Sequence, residues 1–198
     1  ITEEIDLNDV ITTTVRLMEN TIKKSTNHFE VLLADHPPTV KANIQRLEQV
    51  VVNLILNACQ ALTHMDQSII IKSEYNPHRY QITITVEDEG VGIAEAHLAH
   101  VFDPFFTTKG VQSTGLGMSI SYGIINRHKG TIAVKSAEEK GTTFTIKLPV
   151  VEKPLEKREL LESIPKQQKK AKILVVEDEE IIAQLIKDAR AIIVTTPQ

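Results

Sequence analysis

The sequence predicts an α+β fold, a two-layer sandwich with helices on one face of a mixed, mainly antiparallel sheet. Two pairs of alternating, β-branched segments are each joined by a turn-forming stretch, as in hairpins. Strong helical periodicity precedes the first pair and separates it from the second. The 198 residues, 41% hydrophobic and 24% charged, suit one globular domain of about 150 residues plus an appendage.

Residues 5–24 space their apolar positions (Val10, Ile11, Val15, Leu17, Met18, Ile22) as an amphipathic helix, with Asp6 or Asn8 able to cap it. His28 to Ala34 reads as a strand stopped by Pro37-Pro38, and Thr39 to Asn43 as a short extended piece. A second helix is predicted from Ile44 to about Met65. Ser68–Tyr75 and Arg79–Val86 form the first hairpin around Asn76-Pro77-His78. Residues 87–114, with Gly90, Gly92, Pro104 and Gly110, read as irregular, and Thr114–His128 as helix. Thr131–Ala137 and Thr142–Leu148 form the second hairpin, turning through Glu138–Gly141, and Pro149 closes the domain. The expected organisation is a domain over 1–149 and a charged, aromatic-poor linker over 150–171. In the last part, 172–198, Lys172–Val176 reads as a buried strand that ends in Glu177-Asp178-Glu179-Glu180.

Composition excludes several function classes. The single cysteine, Cys59, rules out an internal disulfide and a cysteine-based zinc site, and fits a reducing compartment. No apolar run approaches the roughly 20 residues a bilayer-spanning helix needs, and the net charge of -4 gives no reason to expect nucleic-acid binding. The abrupt start at Ile1-Thr2-Glu3-Glu4 reads as a piece of something larger.

Four separated segments carry chemistry. In the second helix, Leu47, Val50, Val51, Leu54, Ala58, Ala61 and Leu62 form an apolar stripe. Asn53 and Asn57, about 40° apart, stand at its edge. Their amides can bond neighbouring loops, or face a metal and phosphates; magnesium takes oxygen ligands and keeps several waters, so one amide oxygen suffices beside phosphates. Next, Val86-Glu87-Asp88-Glu89-Gly90-Val91-Gly92-Ile93 runs a strand into a carboxylate and two glycines. It fits an Asx-type turn, or a close approach to a flat ligand whose exocyclic amine Asp88 accepts from. Third, Val101-Phe102-Asp103-Pro104-Phe105-Phe106 reads as a cluster pinning a loop. Thr107-Thr108-Lys109 directly after it offers hydroxyls and a cation suited to phosphates. Last, Ser113-Thr114-Gly115-Leu116-Gly117-Met118-Ser119 is a glycine-rich loop opening a helix, with free N–H groups and the positive dipole end.

Together these segments resemble the N, G1, F and G2 boxes of histidine-kinase catalytic domains, in that order and over roughly residues 5–149. That superfamily also includes DNA gyrase, the mismatch-repair protein MutL and certain heat-shock chaperones. Phe-Asp-Pro-Phe-Phe-Thr-Thr-Lys and Thr-Gly-Leu-Gly-Met-Ser-Ile resemble the nitrogen-regulator and hybrid-kinase branches. The resemblance implies ATP and Mg2+ as cofactors, with a lid between Gly92 and Gly115. It implies Asn57 on magnesium, Asp88 on the adenine amine, and Gly90, Gly92 and Ile93 lining the base pocket. Thr108, Lys109 and Thr114 to Met118 would lie against the phosphates, and Thr142 would help to hold adenine. Ser113 and Lys129 depart from the pattern, each standing where the family usually has glycine; Ser113 would stiffen the lid.

Within the superfamily, hydrolytic members carry glutamate as general base one turn before the magnesium asparagine. Here Asn53 occupies that catalytic position and cannot take up a proton. The resemblance therefore implies phosphoryl transfer to an external imidazole, with a non-catalytic nucleotide-binding module and a gyrase-type ATPase as alternatives. The family's acceptor histidine precedes an acidic residue; the seven here precede Phe29, Pro37, Met65, Arg79, Leu98, Val101 and Lys129. The acceptor is thus expected on dimerisation helices upstream, in a homodimeric parent, with this fragment a cytoplasmic monomer that a longer protein can tether to a membrane. Residues 172–198 resemble part of a response-regulator receiver domain, with Glu177 and Asp178 as its magnesium carboxylates and the receiver serving in cis or in trans. A receiver needs about 120 residues, more than remain, and no phosphoacceptor aspartate is identifiable in this stretch.

Overall fold

The computed structural model describes residues 2–108 and 114–151. Lys109, Ser113 and the segments expected as linker remainder and receiver, with Glu177 and Asp178, lie outside the described residues.

Period-two burial builds the sheet. Ile69, Ile71 and Ser73 of β4 (Ser68–Asn76), Ile82, Ile84, Val86 and Asp88 of β5 (Gln81–Asp88), and Thr142, Phe144, Ile146 and Leu148 of β7 (Thr142–Pro149) all turn to one buried face. With β2 (His28–Leu32) and β6 (Thr131–Ser136) they make a five-stranded sheet in the order β2-β4-β5-β7-β6. β2 runs parallel to β4 and every other pairing is antiparallel, so the sheet is mixed and mainly antiparallel. Lys72 and Glu87 pair at 3.1 Å on the outer face, which stays half wet.

Three helices cover the inner face. In α1 (Leu7–Ser25) the cap is Asp6, which accepts from Asn8 N–H at 2.8 Å, and Lys23 and Lys24 suit the negative end of the dipole. Asn8, the other candidate cap, instead donates from Nδ2 to Ala34 O at 2.8 Å and accepts from Ser73 Oγ at 2.7 Å, tying α1 to the sheet. In α2 (Ile44–Ala61) Asn43 is the cap, and Leu47, Val50, Val51, Leu54, Ile55, Ala58 and Cys59 are buried. Ile124 and Ile125 of α4 (Gly117–Arg127) complete the core.

The structure differs from the predicted elements where tertiary contacts intervene. α2 ends at Ala61 rather than near Met65, because Val91 N–H takes the Ala61 carbonyl at 3.0 Å. Gly90 also lies so close that a Cβ there would sit 2.5 Å from the Ala61 backbone. α4 begins at Gly117 rather than Thr114, since Gly115 adopts a left-handed φ of 64° that no helix accepts. A short strand β1 (Glu3–Ile5) pairs antiparallel with β3 (Val40–Ala42), and a four-residue α3 (Glu95–Leu98) interrupts the segment read as irregular. Past Pro149, Val150 and Val151 still donate backbone bonds to Tyr80 O and Thr39 O.

Candidate functional site

At one end of the sheet, β5 and β7 place Asp88 directly opposite Thr142, and β6 places Ser136 opposite Thr142. Asp88 and Thr142 are 8% and 5% exposed, on the face turned toward the helices. Period two carries both inward, so two polar groups end an otherwise apolar row. Asp88 Oδ1 accepts from Gly90 N–H at 2.9 Å, which bends the chain out of β5. The β6–β7 turn then grips the segment: Glu139 N–H donates to Val91 O at 2.8 Å and Ile93 N–H to Ser136 Oγ at 2.8 Å. Beside it, the Ser68 N–H donates to Glu89 at 2.8 Å and holds that carboxyl below the usual range.

The other end is helical. Asn53 Nδ2 donates to Gly117 O and Ser121 Oγ, both at 3.1 Å, so it braces α2 against the start of α4. Because a carbonyl only accepts, the amide must present its nitrogen there, leaving Oδ1 for other work. Asn57, one turn on and half-buried, makes no side-chain hydrogen bond among the described residues. Leu116 stands at the N-cap of α4 with no side-chain cap. The first-turn N–H groups of Gly117, Met118 and Ser119 therefore have no partner within the helix.

The segment from Ile93 to Thr108 leads away from the sheet end. Val101 is buried, and Phe102 packs on Tyr122 and Phe144 with ring centroids 5.4 and 6.5 Å away. Phe106 stacks beside His97 and His100, and His100 Nδ1 meets Asp103 at 2.7 Å. The cluster pins the loop as the residues predicted. Phe105 alone stands out, 74% exposed with φ 66°, its backbone against Gly115. Thr108 and Thr114 are both exposed.

The fold thus brings Asp88, Gly90, Gly92, Ile93 and Thr142 together at the sheet end and Asn53 against Gly117 at the start of α4, with Asn57 one turn further along α2. Two residues at or beside the site, Ser121 and Ser136, escaped the sequence reading. Ser121 is wholly buried and donates to Gly117 O at 2.8 Å; its spacing four residues after Gly117 on the helix was the available signal. Ser136 was findable only through its register with Thr142. His128, one of the seven histidines, joins helix ends: Nδ1–H donates to Ile124 O at 2.8 Å and Nε2 accepts from Asn43 N–H at 3.0 Å. Among the described residues no cluster of three or more His, Cys, Asp or Glu could hold a metal, and no helix is long and apolar enough to cross a membrane. A cation here would rely on the Asn57 amide and a ligand's own oxygens.

A buried carboxylate and hydroxyl at a sheet end and an uncapped helix start thus belong to one two-layer α+β domain with a mixed sheet. Residues 42–152, more than half of the chain, match the family described as histidine kinase-, DNA gyrase B- and HSP90-like ATPase, and the chain belongs to that family. Sensor histidine kinase ZraS of Escherichia coli (strain K12) is 37% identical over 148 residues, 75% of this chain and 31% of ZraS. The chain thus spans about a third of the length of the curated relatives it matches. The nucleotide-free catalytic domain of histidine kinase ThkA shares 33% identity at a TM-score of 0.67, covering 76% of this chain and 96% of that one. ThkA in complex with response regulator protein TrrA matches at 31% identity and a TM-score of 0.63, over 76% of this chain and 42% of that one.

Proposed function

We propose that the domain binds Mg-ATP and donates its γ-phosphoryl group to a histidine on dimerisation helices outside this sequence, in two-component signalling. The observation that carries this reading is a buried Asp88–Thr142 rung together with an Asn57 amide that has no hydrogen-bond partner among the described residues. Asp88 accepts the adenine amine beside Thr142, and Gly90, Gly92 and Ile93 line the base. Asn57 gives its carbonyl oxygen to Mg2+, a donor set that fits a hard cation completed by phosphates and water. Thr108, Lys109, Thr114, Gly115 and Leu116 to Met118 meet the phosphates through hydroxyls, a cation and helix N–H groups. Asn53 has no basic atom to activate water, and its nitrogen is committed to α4. The bound nucleotide therefore waits for an imidazole, and positioning with charge stabilisation does the rest.

Likeness to ZraS and ThkA supports the kinase reading, and the ThkA–TrrA complex supports a response regulator as the next phosphoryl acceptor. We further read 150–171 as a linker and 172–198, through the Lys172–Val176 strand pattern with Glu177 and Asp178, as the start of a receiver in a hybrid kinase. Mixing this chain with ATP and a separately made dimerisation helix pair tests the central claim. Phosphohistidine should form on the helices and depend on Mg2+. ATP binding without phosphohistidine would overturn the transfer reading, and steady phosphate release without acceptor would point to an ATPase.

A further inference from the structure

Ser136 lies at the junction of β6, β7 and the loop that leaves β5, and no role in nucleotide binding falls to it so far. Its Oγ has three polar neighbours: Ile93 N at 2.8 Å, Gly141 O at 2.7 Å and Thr142 Oγ1 at 3.0 Å. A hydroxyl has one proton and two lone pairs. Gly141 O can only accept, so it takes the Ser136 proton, and Ile93 N–H can only donate, so it takes one lone pair. The remaining lone pair then receives the Thr142 hydroxyl proton. The buried hydroxyl that shares its rung with Asp88 has thus committed its proton sideways, within the sheet.

We propose that Ser136 is a positioning residue for nucleotide specificity: by holding the Thr142 proton away from the base, it leaves this end of the site with acceptors only. The proposal rests on the nucleotide-binding reading above. A carboxylate and a hydroxyl oxygen showing lone pairs suit an aminopurine, which brings N–H donors. An oxopurine presents a carbonyl at the same edge and would leave buried acceptors facing each other, an arrangement sites reject strongly. Without Ser136, the Thr142 hydroxyl is free to rotate and donate, and the edge accepts either base.

The test is equilibrium binding of Mg-ATP and Mg-GTP to the full 198-residue chain. The unsubstituted protein should prefer ATP. Ser136→Ala should cut that preference about five- to tenfold, the net worth of one hydrogen bond. Ser136→Thr keeps the hydroxyl and should hold the preference within about twofold. In a Thr142→Val background, Ser136→Ala should change the ATP-to-GTP ratio no further. An equal loss of both nucleotides in Ser136→Ala, with the ratio intact, would overturn the proposal and leave Ser136 a structural brace. If Ser136→Ala fails to fold, Thr142→Val decides alone: a reduced ratio supports the proposal and an unchanged one overturns it. A parent chain that binds neither nucleotide, or both equally, would bring down the underlying reading itself.

Discussion

At the end proposed for the base, Asp88, Gly90, Val91, Ile93, Ser136 and Thr142 are cross-linked by backbone and hydroxyl bonds before any ligand arrives. At the end proposed for the phosphates, neither the Asn57 amide nor the first turn of α4 has a side-chain hydrogen bond or cap among the described residues. Unpaired donors and acceptors survive only where water or a ligand meets them. The contrast separates two tasks. A flat base needs a preformed slot whose hydrogen-bond polarity is set in advance, whereas charged phosphates and their cation can complete a site that the protein leaves open.

The largest expected break in this contrast comes at the base end. Asp88→Asn swaps an acceptor-only group for an amide, and should weaken ATP binding about 10- to 150-fold, the range for a hydrogen bond to a charged group. Calorimetric titration with and without the substitution reads the effect. Affinity within about twofold of the parent would remove Asp88 from the slot.

Asn53 and Asn57 set the contrast inside a single helix. Asn53→Ala removes two hydrogen bonds to α4 and should cost about 1–2 kcal/mol of stability. Asn57→Ala removes none among the described residues, so urea unfolding should stay within about 0.5 kcal/mol of the parent, while Mg2+ no longer strengthens ATP binding. Equal destabilisation by the two substitutions would mean that the amides do the same job.

Lys129 offers a smaller and opposite effect. α4 closes with Gly130 N–H on Ile125 O and Lys129 N–H on Asn126 O, both at 3.0 Å, the Schellman pattern that wants a left-handed residue after the cap. Lys129 supplies it at φ 58°, where a side chain is strained. Lys129→Gly should therefore stabilise the domain by about 1 kcal/mol and raise the Tm by roughly 2–4 °C, read by a thermal melt. The glycine that the family usually has here is thereby explained by backbone geometry rather than by contact with nucleotide.

That example also marks what sequence patterns reveal. The buried rows of β4, β5 and β7 and the faces of α1 and α2 are legible because each burial pattern repeats along the chain. Asp88 was legible as the polar end of such a row. β1 was not, for its three residues bury only Ile5 and gain strand geometry from pairing with β3. The end of α2 was hidden for a similar reason: the Ala61 carbonyl is claimed by Val91, thirty positions away in the chain. Ser136 draws its meaning from Ile93, a partner 43 positions away in the chain, and nothing local to either residue announces the bond.

Cys59 gives the finest probe of the base end. It is 7% exposed on α2, and burial pushes its thiol pKa up; a hydrogen bond with Ser25 works against this, while the Asp88 charge adds to it. A thiol whose folded pKa is raised contributes stability that is fully present below its ordinary value of 9.0 and lost as pH rises through the folded value. Between pH 5 and 8 it should therefore contribute no pH dependence, with stability falling only above about pH 9. The same burial should make the native thiol react with a disulfide reagent at pH 8 at least about tenfold more slowly than the urea-unfolded chain, since only exposed thiolate attacks. Asp88→Asn removes the charge that helps to hold the thiol protonated, and should raise the native rate slightly, without approaching the unfolded one. Native and unfolded rates that coincide at pH 8 would mean that Cys59 is open to solvent and that α2 does not seal this side of the Asp88 rung.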